Sequence, residues 1–216
     1  MLRFTLFGFP VTIHWGFWIM TALLGGALDA NNPVAWQALL LWIVAVFISI
    51  LIHELGHTFM QRHFGARAQI LLYSFGGLAI PDRSFSRQRQ IIVSLAGPLV
   101  EIFCGLIVME IFKRASIQSW QLRVFVHSFY FVSVFWGILN LVPIYPLDGG
   151  HVLLHTLGPR HERTSFIVGA LCAAALALFM LIGLGSIWNT IFFGLLAWQN
   201  FQRAQGHRPP PFFMPR

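Results

Sequence analysis

Long apolar runs with scarcely a charged side chain recur along this chain, and several reach the roughly 20 residues that a helix needs to cross the bilayer core. That feature fixes the solvent before any motif is considered. Hydrophobic residues make up 57% of the 216 positions and charged residues only 10%, against about 25% charged in an ordinary soluble domain. A water-soluble fold of this size cannot cover its surface with so few charges, so the lipid bilayer is the expected partner of much of it. The fold class expected is an all-α polytopic membrane protein with six transmembrane helices. They run approximately Pro10–Leu28, Val34–Phe59, Gln90–Phe112, Val124–Leu141, Ser165–Ile182 and Ile187–Phe201. Between the second and third lies Ala66–Pro81, which carries Gly76-Gly77 and strand-forming residues and reads as a hairpin or re-entrant loop. Non-helical backbone at membrane depth is tolerated only against protein or a wet cavity.

Charge sets the orientation. With six helices, Lys113, Arg114 and Arg123 fall on one side of the membrane and the other 11 of the 14 basic residues on the opposite side with both termini. The positive-inside rule makes the richer side cytoplasmic, and a prokaryotic cell membrane is the expected location. The net charge of +7 is thus a topology signal. A nucleic-acid partner is not expected, because no basic patch on a water-soluble fold accompanies it. The first apolar run lacks a small-residue cleavage site and reads as an uncleaved helix. Cys104 and Cys172 lie within apolar runs and imply no disulfide framework. Residues 1–203 are expected to form one membrane domain, and 204–216, with Pro209-Pro210-Pro211, an extended cytoplasmic tail.

Chemistry concentrates in the second helix, at His53-Glu54-Leu55-Gly56-His57. Two histidines four residues apart share one helix face, about 6 Å apart along the axis, and can bind one zinc ion. Glu54, on the flank of that face, can take a proton from water that the metal acidifies. Ionisable side chains inside an apolar helix are costly and usually functional. The bland alternative is a buried polar cluster that only joins helices. A zinc site of this kind needs a third protein ligand and an open position. Asp148, in Pro146-Leu147-Asp148-Gly149-Gly150 after the fourth helix, is the best candidate, since both helix ends fall on the same side; a helix cap is its alternative role. His63 is a rival, because His six residues after the second His matches the metzincin spacing. Met60, a good helix former, stands where that spacing needs a Gly to turn the chain back.

At this point the sequence resembles the site-2 protease family of intramembrane metalloproteases. The resemblance extends over most of the chain. It rests on Phe7-Gly8-Phe9-Pro10 with Ile13-His14-Trp15, on His53–His57, on Ser74-Phe75-Gly76-Gly77, on Ala96-Gly97-Pro98, and on Asn140 to Gly150. It implies one zinc ion per chain held by His53, His57 and Asp148, with Glu54 activating water. It further implies that Asn140 positions substrate or stabilises the oxyanion, and that the loop at Gly76 and Gly77 pairs with an unwound substrate. The implied substrate is a single-pass membrane protein cut in or beside its transmembrane segment. One departure stands out: Glu101 occupies a place where the family commonly has Asn. The chain resembles a minimal form, with no room between these motifs for an inserted peptide-binding domain and no nucleotide-sensing domain after the sixth helix.

Three other readings compete. A di-iron membrane oxidase would use its many histidines, and H-x-x-x-H recurs at His151 and His155, but the paired-His boxes are absent. A catalytically silent relative that binds membrane helices would be expected to have lost a ligand or the base, and none is lost. A zinc transporter would line a path with ionisable residues through several helices, whereas these cluster on one side.

Overall fold

The computed structural model describes residues 1–115, 118–183 and 185–207. The Pro-rich part of the expected tail, residues 208–216, lies outside the described residues. Most of the described chain is helical, and among the described residues four helices are long and apolar enough to cross a membrane: Pro33–His63, Arg87–Arg114, Trp120–Asn140 and Pro159–Ile182. The described residues divide into two compact units, Met1–Ser84 with Ala96–Ile138, and Phe85–Leu95 with residues 139–207.

The first unit opens with a feature that the all-α expectation missed. Strands β1 (Leu2–Leu6), β2 (Phe9–Ile13), β3 (Ala68–Tyr73) and β4 (Gly76–Pro81) form one sheet in that order. The β1–β2 and β3–β4 pairs are antiparallel hairpins, and β2 runs parallel to β3. Phe7 and Gly8 both have positive φ, 51° and 84°, the geometry of a two-residue hairpin turn matched to strand twist. The expected first helix, Pro10–Leu28, is therefore corrected. Its start is β2, and only α1 (Trp15–Leu24, 10 residues) is helical. The cause is alternation: Phe9, Val11 and Ile13 are buried while Pro10 is exposed, a period-2 pattern that a short apolar run conceals.

Helix α2 (Pro33–His63) spans 31 residues, about 46 Å at 1.5 Å per residue. It starts where Asn32 accepts a hydrogen bond from the Ala35 amide at 2.9 Å, with Pro33 in the first turn. Such a cap satisfies one of the four amide donors that a helix start leaves open. The helix ends at Phe64, followed by Gly65 with φ 84°. One apolar cluster joins sheet and helix through Val11, Ile13, Phe17, Val46, Ile50, Leu51, Ile70 and Leu72. From Ala96 onward, helix α3 (Arg87–Arg114) also belongs to this unit, as does α4 (Trp120–Phe131). A π-helical segment, Val132–Trp136, interrupts the third spanning helix, Trp120–Asn140, before α5 (Gly137–Asn140).

The second unit contains α6 (Asp148–Leu157), α7 (Glu162–Ile182) and α8 (Ile187–Ala204). Its core is Ile144, Ala173, Met180, Phe193 and Leu196. Helix α8 is not among the four candidate spans; Asn189, Gln199, Asn200, Gln202 and Arg203 dilute its apolar character.

Candidate metal centre

Helix α2 runs unbroken through His53, Glu54 and His57, so the spacing read from the sequence becomes one buried polar face. The three are 6%, 4% and 7% exposed. The two Nε2 atoms lie 3.1 Å apart. Two nitrogens on one tetrahedral zinc, at about 2.0–2.1 Å each, would stand roughly 3.3 Å apart. The pair therefore fits a shared ion with little rearrangement.

The ring of His57 exists in this place because its neighbour is glycine. A Cβ on Gly97 of α3 would stand 2.9 Å from His57 Cδ2 and closer still to the far edge of the ring. A Cβ on Gly56 would come within 2.7 Å of the Ala96 carbonyl oxygen and 2.9 Å of Gly97 Cα. Small residues thus let two helix backbones approach, as at many helix contacts in membranes. The Ala96-Gly97-Pro98 motif was legible in the sequence; its reason was not.

Gly77 does the same for Glu54. A Cβ there would lie 2.6 Å from Glu54 Cδ, so a larger residue at 77 displaces the carboxylate. The Ser74–Gly77 region is the turn of a true hairpin, with Tyr73 paired to Gly76. Gly76 has φ 134°, a conformation open to glycine and strained for other residues. Burial, aided by the Glu54 carboxylate, pushes the Tyr73 phenol up to about 12, so Tyr73 keeps its proton throughout the neutral range.

Behind the histidines lies a network that the sequence did not disclose. Glu101 of α3 is fully buried. One of its oxygens, Oε2, is 2.8 Å from His53 Nδ1, and Oε1 accepts the Ser49 hydroxyl at 2.7 Å. Ser49 Oγ is in turn 2.7 Å from Ser133 Oγ. Ser49 spends its one proton on Glu101, so Ser133 is the donor in that last bond. A buried carboxylate without partners would cost several kcal/mol; Glu101 meets two donors instead.

In the second unit, Asp148 is half-buried in the first turn of α6, whose cap is Leu147. Asp148 is therefore not itself the cap. Gly149 and Gly150 pack directly on the backbone of the preceding loop: a Cβ on either would come within 2.5 Å of Val142 O or Tyr145 N respectively. The same loop is tied by Asn200 of α8. Its amide donates to the Tyr145 carbonyl at 2.7 Å and to the Leu196 carbonyl at 2.8 Å, and its oxygen accepts from the Tyr145 amide at 3.3 Å. The Arg203 guanidinium stacks on the Tyr145 ring at 4.5 Å. Asn140 ends α5, half-buried.

His53, His57 and Asp148 are positioned to hold a metal ion: one ligand atom from each lies within 4.8 Å of the others. Three ligands of types N, N and O suit a zinc site with an open position. His63 is excluded from it. Helix α2 continues through Met60, which carries His63 to an exposed last turn. His151 and His155 stack on each other along α6, 6.4 Å between ring centres, and are not part of that metal-capable group. Burial, aided by the neighbouring Arg87 guanidinium, pushes the His155 imidazole down, which keeps it neutral.

Comparison with known proteins points the same way. Residues 107–184 match peptidase family M50. A zinc metalloprotease of Methanocaldococcus jannaschii is 28% identical over 83% of this chain and 52% of its own. Stage IV sporulation protein FB of Bacillus subtilis is 31% identical over 66% of this chain and 46% of its own. The chain spans about half the length of these curated relatives. The solved structure of a site-2 protease from Methanocaldococcus jannaschii superposes with a TM-score of 0.64 at 25% identity, covering 99% of both chains.

Proposed function

We propose that the chain, similar to peptidase family M50 and to a site-2 protease of known structure, is an intramembrane zinc endopeptidase of the site-2 protease family. The observation that carries this reading is the buried α2 face, where two histidine nitrogens 3.1 Å apart adjoin a carboxylate, inside a helix long and apolar enough to cross a membrane. Such groups are expensive in that setting unless they do chemistry. The donor set His53, His57 and Asp148 would hold one zinc ion per chain. Zinc, when bound, supplies a Lewis acid that polarises a carbonyl and acidifies water.

The rest falls to this chain's own residues. Glu54 accepts a proton from the attacking water as its oxygen bonds to the scissile carbonyl carbon. Glu54 then gives that proton to the amide nitrogen as the C–N bond breaks, which balances the hydrolysis. Gly77 leaves room for the Glu54 carboxylate, and the β3–β4 hairpin would form a re-entrant edge along which an unwound substrate strand pairs at Gly76 and Gly77. Asn140 would orient the substrate or meet the developing oxyanion. The substrate class proposed is a single-pass membrane protein cut in or beside its span. The protein is an integral membrane protein, and the proposed topology has its four long apolar helices crossing a prokaryotic cell membrane.

The test is cleavage of a model transmembrane substrate by detergent-purified protein. Glu54→Gln should keep its zinc and lose activity by on the order of 10²–10⁴-fold, the usual worth of a positioned base. Undiminished cleavage by that variant would defeat the assignment.

A further inference from the structure

We propose that Glu101 is a positioning residue for the metal centre: it fixes the tautomer and the ring orientation of His53, and Ser49 and Ser133 fix Glu101 in turn. This inference rests on the reading of His53 as a metal ligand. It adds a residue on a neighbouring helix whose action on the ion passes through His53.

The geometry is directional. Ser49, His53 and His57 stand four residues apart along α2 and so share one face. The Glu101 carboxylate reaches both Ser49 and His53, with contacts of 2.7 and 2.8 Å. The Nδ1 hydrogen of His53 donates to that carboxylate, which leaves the Nε2 lone pair directed to the side where His57 Nε2 stands 3.1 Å away. A histidine that binds a metal commonly donates its other ring N–H to a carboxylate, which sets its orientation and raises its basicity. Ser133 closes the chain of donors at 2.7 Å from Ser49. Ser133 lies in the π-helical segment Val132–Trp136, and π-helical turns occur frequently at functional sites. Gly105 makes the approach possible, since a Cβ there would come within 2.7 Å of Ser133 Cβ. Side chains from three spanning helices are therefore joined in one hydrogen-bonded chain that ends on His53 Nδ1. Glu101, Ser49 and Ser133 are all fully buried, so water does not compete for these bonds.

A merely structural polar joint would hold the helices together and leave metal affinity alone. The two roles separate in a chelator-competition measurement of zinc dissociation constants on the full chain in detergent, paired with thermal denaturation of metal-free protein. Glu101→Gln keeps the shape and removes the charge; it should bind zinc about 10–100-fold more weakly, the usual effect of losing such a partner. Ser49→Ala leaves the carboxylate and removes one of its donors, and should weaken zinc by a smaller, several-fold factor. This second variant keeps the proposal open to refutation if Glu101→Gln does not fold. Glu110→Gln is the control, an exposed carboxylate on the same helix paired with Arg114 at 2.8 Å, and should leave zinc affinity unchanged. With cobalt in place of zinc, Glu101→Gln should shift the visible absorption bands as the His53 ring changes its donation. If Glu101→Gln and Ser49→Ala bind zinc as tightly as the parent while melting earlier, the positioning role is wrong. If the parent itself binds no zinc, the metal reading fails first and carries this proposal down with it.

Discussion

The two units support their ligands by different means. In the first, His53, Glu54 and His57 ride on one long helix and are held by close-packed neighbours: Gly97 against His57, Gly77 against Glu54, Glu101 on His53. In the second, Asp148 opens a short helix after a loop, and the loop is held by hydrogen bonds from Asn200, 55 residues away from Tyr145. Each unit also clears space for a buried polar side chain with a glycine. A Cβ on Gly169 would stand 3.1 Å from Asn200 Cγ, as one on Gly97 would strike His57. The contrast teaches that a rigid helical frame concentrates its tolerance in single positions, whereas a tied loop spreads it over several bonds. Substitutions at the close-packed glycines of the first unit should act nearly all-or-none, and those at the tied loop of the second should be graded.

The sharpest break of that contrast is Gly97→Leu. The side chain enters the place of the His57 ring in a frame with no slack, so zinc binding should be lost outright, as metal content would show. Retention of one zinc per chain would mean that α2 and α3 can part, and the first unit would not be the rigid member of the pair. Next is Gly77→Val, which drives Glu54 from its place without touching a histidine. Cleavage should fall by on the order of 10²-fold or more, since a misplaced base forfeits its contribution, while zinc content stays at the parent level. Asn200→Ala comes third. It strands two part-buried backbone groups of Tyr145, a loss of about 1–3 kcal/mol, and should lower thermal stability while weakening zinc partially. A complete loss of zinc there would erase the distinction between the units. The smallest effect is expected from Arg87→Gln. Arg87 donates to the carbonyls of His155 and Thr156 at 2.9 and 2.8 Å, and its charge is the lesser of the two causes that lower the His155 pKa. An NMR titration should place His155 only slightly higher in the variant, with burial still holding it down.

The same contrast explains what was legible in the sequence. A helical ligand pair writes itself into the chain as a fixed spacing, so His53, Glu54 and His57 could be read directly. Asp148 could be found because the motif around it is local, although its glycine pair reveals its purpose only when Gly149 and Gly150 are seen against the backbone of residues 141–145. Asn200, Ser49 and Ser133 carried no signal, since each is an uncharged polar residue whose partner lies tens of residues away. Glu101 did carry a signal, the cost of a carboxylate in such a helix, but not the name of its partner. Among the elements, the long apolar helices were legible from composition and length. Of the sheet, the β3–β4 hairpin falls within the segment Ala66–Pro81 read as a hairpin or loop, but β1 and β2 were not legible, because they are five residues each and β2 merges into the apolar run that continues through α1. Strand pairing between Val11 and Ile70 is long-range and leaves no local trace beyond a brief alternation.

The central claim, that the buried face of α2 is a zinc site with Glu54 as its base, is tested most directly by one paired measurement. Zinc content and cleavage of a model transmembrane substrate are determined together on purified parent and Glu54→Gln protein. The expected result is one zinc per chain in both and cleavage by the parent alone. Absence of zinc from the parent, or equal cleavage by the two, would contradict it.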